Sequence, residues 1–256
     1  MQKNIEKDLG FVIRRYNFRE TSLIATLYTY RFGKIKGIFK GFYTQKREFS
    51  SPLEVFSLNE FVFYPKKSEI WLISHADLVC DYDFAKKDIN KARVAATIFK
   101  LVDSSMQLWD KNHYIFNLTQ SCLALLEEEN ELKILYIFLI KFLTFSGFKP
   151  EFNHCINCEC LLDEEVFFSA SRGGLTCKSC HGKMKDIRSI TRETSRSLLY
   201  IQNTDFPNVC RLNLSPKCEE EILYILSEFL AYHFDFLMRL IPRGDVVELS
   251  PKGIEI

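Results

Sequence analysis

The sequence predicts an α+β chain of several domains. An N-terminal barrel or sandwich of short strands precedes a helical body, and a four-cysteine module interrupts that body. Three observations carry this reading. Over residues 9–80, short runs rich in Val, Ile, Phe, Tyr and Thr alternate with turn material. From about residue 84 the apolar residues change to helical spacing. Two Cys-x-x-Cys pairs, Cys155/Cys158 and Cys177/Cys180, follow with eighteen residues between them.

The candidate strands are LGFVIRRY, SLIATLYTY, KIKGIF, LEVFSLNEFVFY and EIWLISHADLV. About five short strands in seventy residues suit a small closed barrel or sandwich. Gly33, Gly37 and Gly41 recur every fourth residue, and strand glycines often mark a bulge or a barrel corner. Ala95, Ile98, Phe99, Val102 and Met106 then fall on one helical face, as do Leu118, Cys122 and Leu125. Residues 131–147 read as a buried helix ended by Gly147 and Pro150. Lys141 interrupts this apolar run, which is shorter than the ~20 residues a membrane span needs. A helix over 191–202 opens on TRET, close to a capping box. A longer one over 215–241 has Ser215 as N-cap and Pro216 at its first position. The predicted organisation is a barrel over 1–80, helices over 81–150, a cysteine module over 151–189, helices over 190–242, and a flexible tail over 243–256.

The net charge of +1 hides an asymmetry. Residues 1–80 carry 13 Lys/Arg against 8 Asp/Glu, and residues 190–256 carry 7 against 10. An anionic partner is therefore expected on the N-terminal third. The opening MQKNIEKDLG has no apolar signal core. Nine cysteines, an odd number, in such a chain point to a reducing cytoplasm rather than a disulfide framework.

The cysteine spacing matches a closed zinc module. Each Cys-x-x-Cys knuckle aims two thiolates at one ion, and two knuckles supply four sulfurs at ~2.3 Å in a tetrahedron. Cys155, Cys158, Cys177 and Cys180 are the expected ligands of one structural zinc. Cys160, His154 and His181 lie close by as alternatives that the spacing disfavours. A catalytic zinc keeps one position open for water, and four thiolates leave none. No His-x-Glu, Gly-rich phosphate loop or Gly-x-Ser-x-Gly occurs, so no site for chemistry stands out and the chain is not expected to be an enzyme. Asp77, Asp81 and Asp83 are better read as a solvated junction than as a metal cluster.

Residues 31–47, RFGKIKGIFKGFYTQKR, hold six cations (Arg31, Lys34, Lys36, Lys40, Lys46, Arg47) and no acid. Phe32, Phe39, Phe42 and Tyr43 are interleaved with them. Cations beside aromatics suit a surface that tracks a nucleic-acid backbone and stacks its bases. An amphipathic hairpin with lysines outward is the bland alternative.

The chain as a whole resembles the bacterial recombination mediators of the RecO family. GFVIRRYNFRETSLIATLYTYRFGKIKGIFKG is similar to the family's opening strands. SPLEVFSLNEFVFY and EIWLISHADLV resemble the later barrel strands. FLIKFLTFSGFKPEFNHCINC and FFSASRGGLTCKSC resemble the helix and the two zinc knuckles. The resemblance implies an oligonucleotide-binding (OB-fold) barrel, then a helical domain with an inserted zinc module. It also implies binding of single- and double-stranded DNA and annealing of complementary strands. The implied partners are RecR and the C-terminal tail of single-strand binding protein, in loading RecA in the bacterial cytoplasm, at the nucleoid. Carried over by position, the expected DNA contacts are Arg14, Arg15, Arg19, Lys34, Lys36, Lys40, Lys46 and Arg47. They would act on phosphates and read no bases. A zinc-containing protein–protein adaptor that never touches nucleic acid is the rival reading.

Overall fold

The computed structural model describes residues 5–44, 49–65, 68–162, 165–182, 186–206 and 208–234. Lys46, Arg47 and the tail over 243–256 lie outside the described residues. Five strands, β1 (Glu6–Phe18), β2 (Ser22–Thr29), β3 (Gly33–Phe39), β4 (Leu58–Tyr64) and β5 (Ile70–Cys80), close into a barrel of order β1-β2-β3-β5-β4. All pairs are antiparallel except β3 with β5. Alternation sets the faces. On β3, Ile35 and Phe39 are buried in the barrel with Leu23, Leu27, Phe61 and Phe63, while Lys34 and Lys36 take the other face. Gly37 belongs inward because a Cβ there would stand 2.6 Å from the Ile73 side chain. Gly33 turns at φ +64, and a Cβ would meet the Asp110 carbonyl at 2.0 Å.

The helices are α1 (Phe84–Lys87), α2 (Ile89–Ser105), α3 (His113–Leu125) and α4 (Glu131–Phe145). After the cysteine segment come α6 (Arg192–Asn203), a short 3-10 turn and α7 (Pro216–His233). In between lie a three-stranded sheet, β6 (Val166–Ser169), β7 (Gly174–Cys177) and β8 (Ile187–Ile190), and the single turn α5 (Lys178–His181). Among the described residues, no helix is long and apolar enough to cross a membrane. Helix α4 is instead the centre of the body, with ten consecutive buried residues from Ile134 to Leu143. Lys141 survives there because its ammonium donates to the carbonyls of Gln202 and Thr204, at the C-terminal end of α6.

The barrel's outer face, the helices and the small sheet share one apolar core, separate from the core inside the barrel. Phe11 and Tyr28 of the barrel's outer face meet Phe116 of α3 at ring distances of 5.0 and 5.9 Å, and Phe11 meets Phe99 of α2 at 5.6 Å. Phe168 and Leu175 of the small sheet join the same core.

Capping follows the sequence at Ser215, whose hydroxyl accepts from the Cys218 N–H, with Pro216 at the first helical turn. At Thr191 the outcome differs from a capping box. Thr191 caps α6 by accepting from the Thr194 N–H, but Glu193 turns to the next helix. Its carboxylate accepts from the Ser215 N–H (3.0 Å) and hydroxyl (2.7 Å). Glu221 of α7 makes the reciprocal tie. Its buried carboxylate accepts from the Thr191 N–H and hydroxyl (2.9 and 2.8 Å) and the Thr194 hydroxyl (2.5 Å). Burial opposes its ionisation, but these hydrogen bonds outweigh it and hold the carboxyl below its usual 4.5. Its stabilising contribution is therefore full above that value and is lost as pH falls through the depressed one. Glu221→Ala is expected to cost about 2 kcal/mol at neutral pH. Urea unfolding at pH 7 and pH 4 should show the wild-type advantage shrinking at the lower pH.

Candidate metal centre and nucleic-acid face

The metal candidate is built by two hairpin ends brought together. The loop 155–160 is closed by the Cys155 N–H to the Cys160 carbonyl and the Glu159 N–H to the Cys155 carbonyl, each 2.9 Å. It docks on β7 through Ile156 N–H to Leu175 O, at 3.0 Å. That docking sets Cys155 and Cys158 against Cys177, at the end of β7, and Cys180 in α5. The four Sγ atoms lie within 4.8 Å of one another, and Cys158 to Cys177 is 3.7 Å. Sulfurs at ~2.3 Å around one tetrahedral ion stand about 3.8 Å apart, so the donor set fits zinc with little adjustment. Among the described residues this is the only such grouping of His, Cys, Asp or Glu. Asp77, Asp81 and Asp83 do not form one.

The surroundings suit thiolates. Thr176 Oγ1 and the Cys177 N–H each lie 3.4 Å from the Cys155 sulfur, and the Asn157 amide donates to Cys180 Sγ at 3.3 Å. Burial works against ionising Cys155, but the Thr176 hydroxyl and the N–H groups of Cys177, Cys158 and Asn157 bring it down to about 5. Cys158 and Cys180 go the other way, to about 11. A donor favours each thiolate, the Cys160 N–H at Cys158 and the Asn157 amide at Cys180, but the neighbouring thiols outweigh it. Four sulfurs this close cannot all carry charge without a cation among them. His154 and His181 stand aside. The His181 ring stacks on Phe167 at 4.4 Å, and His154 lies near Glu151.

The second candidate is the barrel's outer face on β1, β2 and β3. Cross-strand rows run outward from the helical body. The first is Phe11–Tyr28–Lys34, the second Arg14–Thr26–Lys36, the third Tyr16–Ile24–Ile38. The first row is where the helices sit. A β-bulge between Val12 and Arg14 then re-aims β1. In the second and third rows Arg14 and Tyr16 are exposed, and an open cavity of about 390 Å³ is lined by Arg14, Arg15, Tyr16, Thr26, Lys36 and Val55.

Six of the eight expected DNA contacts lie among the described residues, and they do not stand alike. Arg19 and Lys40 are exposed at the strand ends, Arg19 over the Phe18 ring at 5.2 Å. Lys36 is half exposed and meets Glu69 at 3.3 Å. Arg15 is spent on the 52–54 loop, donating to the Pro52 carbonyl at 2.8 Å and pairing with Glu54 at 3.3 Å. Lys34 is only 13% exposed, and its ammonium meets both the Asp103 carboxylate (3.4 Å) and the Asp103 carbonyl in α2. Arg14 Nε meets the same carboxylate at 3.0 Å while staying largely exposed. Lys34 thus belongs to the joint between barrel and helices. Asp103, sixty-nine residues from Lys34, had no signal in the sequence. Tyr16 did, since it alternates with Arg14 on an exposed strand face.

A closed five-stranded barrel joined to a helical body that carries a four-cysteine cluster able to hold a metal ion has the architecture of an OB-fold protein with a helical domain. Family comparison makes this specific. Residues 1–82 match the model for "Recombination protein O N terminal", and residues 86–236 that for "Recombination protein O C terminal". The chain belongs to the RecO family of DNA repair and recombination proteins. It is similar to the DNA repair protein RecO of Alkaliphilus metalliredigens, 28% identical over 90% of this chain and 94% of the relative. It is likewise similar to that of Caldicellulosiruptor saccharolyticus, 29% identical over 88% and 91%, and to that of Syntrophus aciditrophicus, 27% over 88% and 90%.

Proposed function

We propose that the chain is a non-enzymatic recombination mediator. It binds single- and double-stranded DNA, anneals complementary strands, and acts with RecR and the tail of single-strand binding protein to help load RecA. The observation that carries this is the row Arg14–Thr26–Lys36 beside the exposed Tyr16, on the part of the barrel face that the helices leave open. Arg14 and Lys36 are placed to neutralise phosphates, with Arg19 and Lys40 extending the path at the strand ends. Tyr16 offers a ring on which an unpaired base can stack. Each phosphate neutralised releases counterions, so affinity falls with salt at ~0.7 log unit per contact per decade for single strands. The four cysteines would hold one zinc, which fixes the 155–160 loop to β7 and α5 and takes no part in DNA chemistry.

Annealing of complementary strands coated with single-strand binding protein tests the reading. The chain is expected to accelerate duplex formation well above the rate without it. An unchanged rate, together with no gel shift of a bare oligonucleotide, would favour the adaptor alternative.

A further inference from the structure

Four thiols are enough to close a tetrahedral zinc site, yet a fifth lies against them. Cys160 Sγ is 3.4 Å from Cys158 Sγ and outside the mutually close set of four. The contact is built into the loop. Glu159, between the two cysteines, takes the left-handed conformation at φ +60. The closing bonds of Cys155 with Cys160 and Glu159, and a bridge between His154 and Leu161, hold the turn on both sides. Cys158 and Cys160 are both exposed, whereas Cys122, Cys155, Cys180, Cys210 and Cys218 are buried.

We propose that Cys158 and Cys160 form a peroxide-sensitive disulfide site whose closure withdraws one ligand from the metal centre. The metal half of this rests on the zinc reading above. The oxidant is hydrogen peroxide. Its O–O bond breaks as the sulfur of Cys160 takes one oxygen to become a sulfenic acid, and water leaves. The Cys158 sulfur then attacks that sulfur. An S–S bond forms, the S–O bond breaks, and a second water leaves. Two thiols and one peroxide give one disulfide and two waters. The sulfurs need close only from 3.4 Å to ~2.05 Å, a side-chain rotation within a loop already turned. Holding the two groups together makes the second step intramolecular, so it outruns attack by any thiol in solution. Three thiolates remain for the ion, and it is released more readily. Reduction by a dithiol reverses the change.

The test uses the purified full-length chain, with zinc measured before treatment. Hydrogen peroxide is added. Released zinc is followed with a chromophoric chelator, and peptide mapping locates the cross-link. The wild type should lose zinc and show the Cys158–Cys160 link, and a dithiol should undo it. Cys160→Ser should start with the same zinc content and lose it at least about tenfold more slowly. Cys160→Ala should behave alike, which separates loss of the thiol from any new hydroxyl contact. Equal rates in wild type and both variants, or a link elsewhere, would overturn the proposal. A chain purified without metal would sink the zinc reading alone. The peptide map would still decide the thiol pair, with a Cys158–Cys160 link supporting it and none refuting it.

Discussion

Cys177→Ser is expected to abolish stoichiometric zinc and to destabilise the helical half by about 4 kcal/mol or more, the range in which loss of a metal site falls. The size follows from what the site holds. The 155–160 loop reaches β7 through few hydrogen bonds, yet Phe168 and Leu175 of the same small sheet lie in the core shared with α4, α6 and α7. Without the proposed zinc the loop would be free and that sheet would loosen against the helices. Cys177 is the informative position because it is half-exposed, so the shorter serine leaves little cavity. A substitution at fully buried Cys155 would mix both effects. Elemental analysis should give about one zinc per wild-type chain and none in the variant, with thermal unfolding shifted down accordingly. A wild type that is metal-free and equally stable would refute a structural metal.

The second large effect concerns the open barrel face. Reversing Arg14, Lys36 and Lys40 to Glu should lower single-strand affinity about 100-fold or more. It should also flatten the salt dependence by about 2 log units per decade, three contacts at ~0.7 each. The fold should survive: Lys40 is exposed, Lys36 meets solvent beyond its ion pair, and although Arg14→Glu also faces Asp103, the Arg14 side chain is 66% exposed, so water screens that repulsion. Lys34→Glu belongs in a different class. It sets a second carboxylate against Asp103 at a joint that is mostly shielded from water, with an expected cost of about 2 kcal/mol in stability. Urea unfolding of the two variants should separate the DNA face from the joint. If Lys34→Glu instead lowered affinity without loss of stability, Lys34 would be a phosphate contact after all.

The contrast between Lys34 and Lys36 marks the boundary of what the sequence disclosed. Their shared strand face was readable from alternation, because side chains repeat every second residue along a strand. Which of the two faces solvent was not, because the helix carrying Asp103 arrives from distant sequence. The same holds for Lys141. In the sequence it interrupts an apolar run, and in the fold its ammonium terminates another helix. Local signals survived folding. The cap at Ser215 and Pro216, the paired knuckles at Cys155/Cys158 and Cys177/Cys180, and the turn at Gly33 each depend on neighbours a few residues away. The TRET start placed the helix and its Thr191 cap correctly but not the glutamate. Glu193 had a better partner in Ser215, twenty-two residues on, than in its own helix. Tyr16 was readable by parity with Arg14 on β1.

The central claim is that the open face of the barrel, and not the cysteine centre, carries the DNA. The most direct test is the salt dependence of oligonucleotide binding, measured on the full chain, on the Arg14/Lys36/Lys40 charge-reversal variant and on Cys177→Ser. The expected result is a steep slope for the wild type and a flattened slope with weakened binding for the charge reversal. Cys177→Ser, assayed below its unfolding temperature, should keep nearly the wild-type slope. A charge-reversal variant with wild-type affinity and slope, beside a Cys177→Ser variant that has lost both, would place the DNA on the cysteine module and contradict the claim.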